Sequence, residues 1–157
     1  MHSRIIQISK SPIRKDDFID KDGFDLEDYG KFGIDYIADL EDSSRKDEIK
    51  EMESMFPLQI FKVKGKTSVL YKDNVWELKN LCVSKIKELV KNTDVEEFFD
   101  GDSYRLALLL KKPFTENLFV MDGCLYSSMN LINHLLKDNF SDGDTIYIGN
   151  ILDYHHC

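Results

Sequence analysis

A chain of 157 residues with 42% hydrophobic and 11% aromatic content can bury the core of one domain beneath a surface supplied by its 32% charged residues, which excludes a disordered chain. The formal charge of −8 is uneven: residues 1–60 carry 9 Lys/Arg against 15 Asp/Glu, and Arg4, Arg14, Arg45 and Arg105 are the only arginines, which argues against a nucleic-acid binder. The apolar run at 5–8 is shorter than an export signal's core of about 7–15 residues, no stretch reaches the roughly 20 apolar residues of a membrane span, and three cysteines lack C-x-x-C spacing, so a cytoplasmic protein with no membrane partner, no cofactor and no resident metal is expected.

In chain order, β-branched Ile5, Ile6 and Ile8, closed by Ser11-Pro12, predict a first strand over 3–9 inside a sheet. Residues 16–28 carry seven acids against Lys21 alone, with Phe18, Ile19 and Phe24 interleaved. That pattern predicts an acidic surface loop, at about 16–30, whose aromatics anchor it to the body. Phe32, Tyr36, Ile37 and Leu40 fall at helical spacing and predict a short helix over 31–40 that contains Gly33. Ser44 followed by Asp47 is a capping signature, and Ile49, Met52 and Phe56 give the next helix a face for the sheet before Pro57 stops it. The apolar-rich runs 58–64 and 67–72 flank Gly65-Lys66 and predict a β-hairpin.

Asp73 or Asn74 then caps a long helix to Val90 with an apolar stripe of Leu78, Cys82, Ile86 and Leu89. Periodicity leaves 104–111 open between strand and helix; we assign a strand, followed by a turn at 113–117 and a strand at 117–123. Helical spacing resumes from Cys124, with Leu125, Met129, Ile132 and Leu136 inward and His134 outward. Asp142-Gly143-Asp144 turns the chain into 145–156, apolar on both faces and therefore an interior strand, with Gly149 as a bulge position. The whole is a single α+β domain over 1–157, a mainly antiparallel sheet of about five or six strands packed by three or four helices.

Two constellations carry chemistry. The acidic loop contains the Asp-Lys-Asp-Gly run of a calcium loop, but with Gly23 at the loop's glycine position both ends that should supply carboxylates are aromatic, Phe18 and Tyr29. What remains is an interaction face: Asp16, Asp17, Asp20, Asp22, Asp25, Glu27 and Asp28 steer a partner with a basic surface, and Phe18, Phe24, Tyr29 and Phe32 anchor it. The terminal "DYHHC" is not the Asp-His-His-Cys signature of palmitoyltransferases, since Tyr154 interrupts it. On an extended strand Asp153, His155 and Cys157 share one face, at most three ligands for a tetrahedral ion, with Cys157 at the fraying end.

Cys124, following a strand and a turn at the expected start of a helix, has the surroundings that stabilise a thiolate. His155 would be its base and Asp153 the group that orients the base. Cysteine on a helix start and histidine later on a strand is loosely similar to papain-like peptidases, an analogy of two residues and an element order. Nucleotide-binding, zinc-protease and serine-hydrolase motifs are absent from the sequence. The favoured function is a non-enzymatic binding module using the acidic N-terminal surface. The alternatives are a cysteine-dependent hydrolase with Cys124 as nucleophile and a small-ligand-binding domain.

Overall fold

The computed structural model describes residues 2–111, 114–137 and 139–156. Among these residues seven strands form one sheet: β1 (His2–Ser9), β2 (Ile34–Asp39), β3 (Phe61–Lys64), β4 (Thr67–Leu70), β5 (Leu118–Met121), β6 (Cys124–Tyr126) and β7 (Thr145–His156). The order is β3-β4-β7-β1-β5-β6, with β2 also on β7. All pairings are antiparallel except β1 with β5. The α+β class therefore holds, with more strands than the sequence suggested.

The helices are α1 (Leu26–Phe32), α2 (Asp42–Glu51), α3 (Lys72–Asn92), the single turn α4 (Val95–Glu97), α5 (Ser103–Lys111) and α6 (Ser128–Leu135). None of the described helices is long and apolar enough to cross a membrane.

Strand β7 is the spine. One side pairs with β1 along nearly its whole length, and the other is divided between β4 at Thr145–Tyr147 and β2 at Leu152–His156. Its two faces feed two cores. On one face Ile6, Ile8, Ile146, Ile148 and Ile151 pack beneath Ile49 of α2, Val75 and Leu78 of α3, and Leu131, Ile132 and Leu135 of α6. On the other, Ile5, Leu118, Val120, Leu152 and Tyr154 pack with Ile34 and Ile37, and with the half-buried Ile19, Phe24, Tyr29 and Phe32. Helices thus cover one face, while the acidic N-terminal segment covers the other, to which β2 contributes Ile34 and Ile37 from within the sheet.

The hairpin at Gly65, which sits at φ 64°, the long α3 and the interior terminal strand agree with the sequence reading. Five expectations need correction. Residues 34–39 are a strand, because Gly33 at φ 64° ends α1 in a left-handed cap, its N–H bonded to the Tyr29 carbonyl. An extra residue between Ile34 and Tyr36 then sends both Ile34 and Ile37 inward, a spacing of three that imitates a helix. Helix α2 starts at Asp42, ahead of the Ser44 signature, and Tyr71 precedes α3 without a side-chain cap.

Residues 103–111 are helical, with Tyr104, Leu108 and Leu110 exposed. The continuous apolar run there is not a buried strand. Pro113, within the turn expected after it, lies outside the described residues. Finally, 124–126 is a strand, so α6 begins at Ser128 behind the Ser127 cap and buries Leu131 and Leu135 instead of Leu125 and Leu136. Beyond Cys82 the stripe of α3 is only half-buried, and Val90, Val95 and Phe99 stand exposed on the helical arm that α3 to α5 form.

The bulge at Gly149 is where β7 changes phase. Ile6 registers with Ile151 but Ile8 with Ile148, so β7 carries one extra residue there. A Cβ on Gly149 would lie 2.3 Å from Gln7 Oε1, so only glycine leaves room for that side chain. Gln7 Oε1 accepts from the backbone N–H of Asn150 (3.0 Å) and of Ile19 (3.1 Å), and Gln7 Nε2 donates to the Asp17 carbonyl (2.8 Å). The Gly149 carbonyl accepts from Arg45 Nε and Nη2, and Arg45 is stacked 5.0 Å from the centre of the Phe18 ring.

Gly149→Ala should cost about 1–3 kcal/mol, since the methyl must displace a side chain that makes three hydrogen bonds. In a Gln7→Ala background most of that cost should vanish, and denaturant titration of the four chains in this cycle measures it.

Candidate functional site

The acidic segment is an arm bolted to the sheet by uncharged groups. Besides the Gln7 bonds, Asn150 Nδ2 donates to the Ile19 carbonyl at 2.8 Å. Within the arm Asp20 accepts from the N–H of Asp22, and Asp25 caps α1 by accepting from the N–H of Asp28, both at 2.9 Å. Phe24, Tyr29 and Phe32 point into the second core and Phe18 against Arg45, so all four are half-buried.

The carboxylates go the other way. Asp16, Asp17, Asp20, Asp22, Asp25 and Glu27 are exposed and Asp28 is half-buried. Among the described residues their one ion pair is Asp17 with Arg14, at 3.1 Å. The apolar group that stands out among these acids is Leu26, 89% exposed on the first turn of α1, which composition alone does not single out.

Cys124 meets the arm but not His155. It is an exposed thiol after the two-residue hairpin Asp122-Gly123, whose φ values of 53° and 74° belong to a type I′ turn. The position is a strand start, so the helix-terminus field expected to favour a thiolate is absent there. Cys124 lines a cleft of about 600 Å³ with Asp16, Asp20, Asp28, Phe24 and Leu125. On the far side of Phe18 a second cleft, of about 550 Å³, is lined by Lys15, Arg45, Lys46 and Lys66.

His155 registers with His2, whereas Met121, paired with Cys124, lies just past the pairing of Val120 with Gln7. At about 3.3 Å per residue the two ends of β1 are roughly 20 Å apart, so His155 cannot serve Cys124 as base, nor Asp153 orient it there.

At the other end of the sheet the two faces of β7 differ. Asp153 and His155 point to the α2 side, where Arg4 bridges Asp153 Oδ1 and Glu48 and His2 Nδ1 lies 2.9 Å from Asp153 Oδ2. Tyr154 and His156 point to the second face, His156 Nε2 at 2.9 Å from Glu116 and 3.4 Å from Ser3 Oγ. The fully buried Tyr154 hydroxyl donates to the Glu116 carbonyl; burial, and then the Glu116 charge, push its pKa up to about 12. Cys157 lies outside the described residues. His134, expected outward, is half-buried between the rings of Tyr126 and Phe140, and burial lowers its pKa. Comparison with protein-family models, with curated proteins and with solved structures finds no match.

Two measurements check this geometry. Alkylation of the native protein should label Cys124 roughly 100-fold faster than Cys82, which is buried in α3 and whose thiol burial pushes up, and unfolding should erase the difference. A tyrosine raised in the folded state loses its proton first from the unfolded chain. Stability should therefore fall as the pH rises from about 10 to about 12, by about 2 kcal/mol, and Tyr154→Phe should flatten that slope in alkaline denaturation curves.

Proposed function

We propose that the protein is a non-enzymatic interaction module whose acidic arm, residues 16–30, receives a protein partner with a basic surface. The observation that carries this reading is the division of labour among the arm's side chains. The aromatics hold the arm to the sheet, while six of its carboxylates are exposed and Asp28 is half-buried; Leu26, between Asp25 and Glu27, is exposed with them, and among the described residues Asp17 with Arg14 is the one ion pair these acids make. Unpaired like charges held at a fixed surface repel one another and raise the local potential, which a cationic partner relieves.

Leu26 takes the anchoring role expected of Phe18, Phe24 and Tyr29, because an apolar group in a charged rim supplies the desolvated contact that charge alone does not. The exposed Val90, Val95 and Phe99 of the helical arm support the same class of protein, since contiguous apolar surface is characteristic of contact surfaces. The hydrolase reading has no such support, its nucleophile and base lying at opposite ends of the sheet.

A synthetic Lys/Arg-rich peptide with interspersed leucines is the probe. Replacing Asp20, Asp22, Asp25 and Glu27 by their amides should weaken its binding at least tenfold at low salt, with most of the loss in the association rate. The same number of neutralisations at Asp73, Glu77, Glu88 and Glu96, exposed on α3 and α4, should change it less than about twofold. Leu26→Ala should raise the dissociation rate with little effect on association. Equal losses in the two four-residue variants would show that net charge alone attracts the peptide, and would remove the arm as the site.

A further inference from the structure

The corner where the first strand begins and the last strand ends holds a ligand set that neither strand has alone. Cross-strand register sets His2 opposite His155 and Arg4 opposite Asp153, and side-chain alternation brings all four to the α2 face. His2 Nδ1 is 2.9 Å from Asp153 Oδ2 and His155 Nε2 is 3.9 Å from the same oxygen. One ligand atom from each of the three residues lies within 4.8 Å of the others. The imidazole centroids are 3.9 Å apart in an edge-to-face arrangement. We propose that His2, Asp153 and His155 form a binding site for a divalent transition-metal ion of the Zn(II) class.

Ligand bonds of about 2.0–2.2 Å at tetrahedral angles place donor atoms about 3.3–3.5 Å apart, and the observed separations bracket that spacing. Two imidazoles with one carboxylate are a borderline donor set. It suits Zn(II), Co(II) and Fe(II), whereas Mg(II) and Ca(II) prefer oxygen ligands alone.

Asp153 is already oriented for the task. Arg4 holds Oδ1 and is itself held by Glu48 at 2.7 Å, which turns Oδ2 toward the two histidines and leaves it to bind through one oxygen. Asp153, Glu48 and Arg4 together leave one net negative charge at the corner, so the guanidinium does not cancel the attraction for a cation. Asp153 is mostly buried, while the side chains of His155 and His2 are 40% and 63% exposed. Three protein ligands on the protein side leave the solvent side for water, the arrangement of an open site.

This site lies outside the acidic arm and does not rest on the interaction reading. Along the sequence the terminal strand offers only Asp153, His155 and Cys157 on one face; the β1–β7 register is what brings His2 to that face.

The test is calorimetric titration of the tag-free full chain with Zn(II), after removal of trace metal. One equivalent should bind, and His2→Ala and His155→Ala should each weaken binding at least tenfold with the thermal unfolding midpoint unchanged, whereas Asp153→Asn should weaken it as much and also lower the midpoint, because it removes the ion pair with Arg4. A chain in which Cys124 and Cys157 are replaced by Ser should bind as tightly as the parent, which separates this site from capture by an exposed thiol. Co(II) in place of Zn(II) should give the visible absorption of a four- or five-coordinate nitrogen/oxygen site, and the His155→Ala chain should lack it. Zn(II) binding that survives the histidine variants, that disappears with the cysteines, or that Mg(II) and Ca(II) match would overturn the proposal.

Discussion

The single extra residue at Gly149 decides which side of the sheet each half of β7 faces. Before it, Ile146 and Ile148 enter the helix-covered core; after it, Ile151 does so, and Leu152 and Tyr154 go to the other. With strict alternation Leu152 and Tyr154 would join the first core, and Asp153 and His155 would be driven into the second. The bulge therefore sets the packing of both layers at once. It persists because Gln7 fills the space a side chain at 149 would take and bonds the N–H groups of Asn150 and Ile19. Arg45 satisfies the Gly149 carbonyl in the gap between β4 and β2, where no strand supplies a partner.

The same bulge explains how the two surface features are kept apart. The arm docks at the level of Gln7, Gly149 and Asn150, beside the hairpin that carries Cys124. The histidine corner is formed at the opposite end of β1 and β7. A rigid interior strand between them holds the two separate, which is why the thiol and the imidazole face different solvent. The most polar side chains of β7 are at its last turn of alternation, where Arg4, Glu48 and Glu116 supply counterparts on both faces.

Much of the fold was legible because most of the elements follow one rule each. β1, the Gly65 hairpin, α3 and β7 could be read from β-branching, a turn glycine, a 3.6-residue stripe and two-sided apolarity. The failures have local causes. At 34–39 a bulge converts the two-residue period of a strand into a three-residue spacing, and at 124–126 the Asp-Gly dipeptide makes a I′ hairpin where a helix start was read. At 103–111 an apolar run turned out to be a helix only partly covered by the body, which periodicity cannot distinguish from a buried strand in so few residues. The acidic arm was plain as a charge run, and of the two roles read for its aromatics, holding the arm to the body and anchoring a partner, their half-buried place serves the first. The outward place of Leu26 follows from the phase of a seven-residue helix whose start is set by Asp25, and the third member of the corner, His2, from its pairing with His155, 153 positions away. Neither is encoded in spacing along the chain.

Seven carboxylates between positions 16 and 28 repel one another, and that repulsion works to lift the arm from the sheet. The groups that oppose it are almost all uncharged: the amides of Gln7 and Asn150, the backbone of 17–19, and the rings of Phe24, Tyr29 and Phe32. Hydrogen bonds between neutral groups and apolar contacts are insensitive to ionic strength, whereas the field of exposed carboxylates is screened within about 8–10 Å at physiological salt. The attachment of the arm and the reach of its charge thus respond to different variables. Salt can shorten the reach of the arm's field without moving the arm, and a cationic surface of the kind proposed would find the carboxylates already held in place, with no ordering of the arm's backbone left to offset the binding.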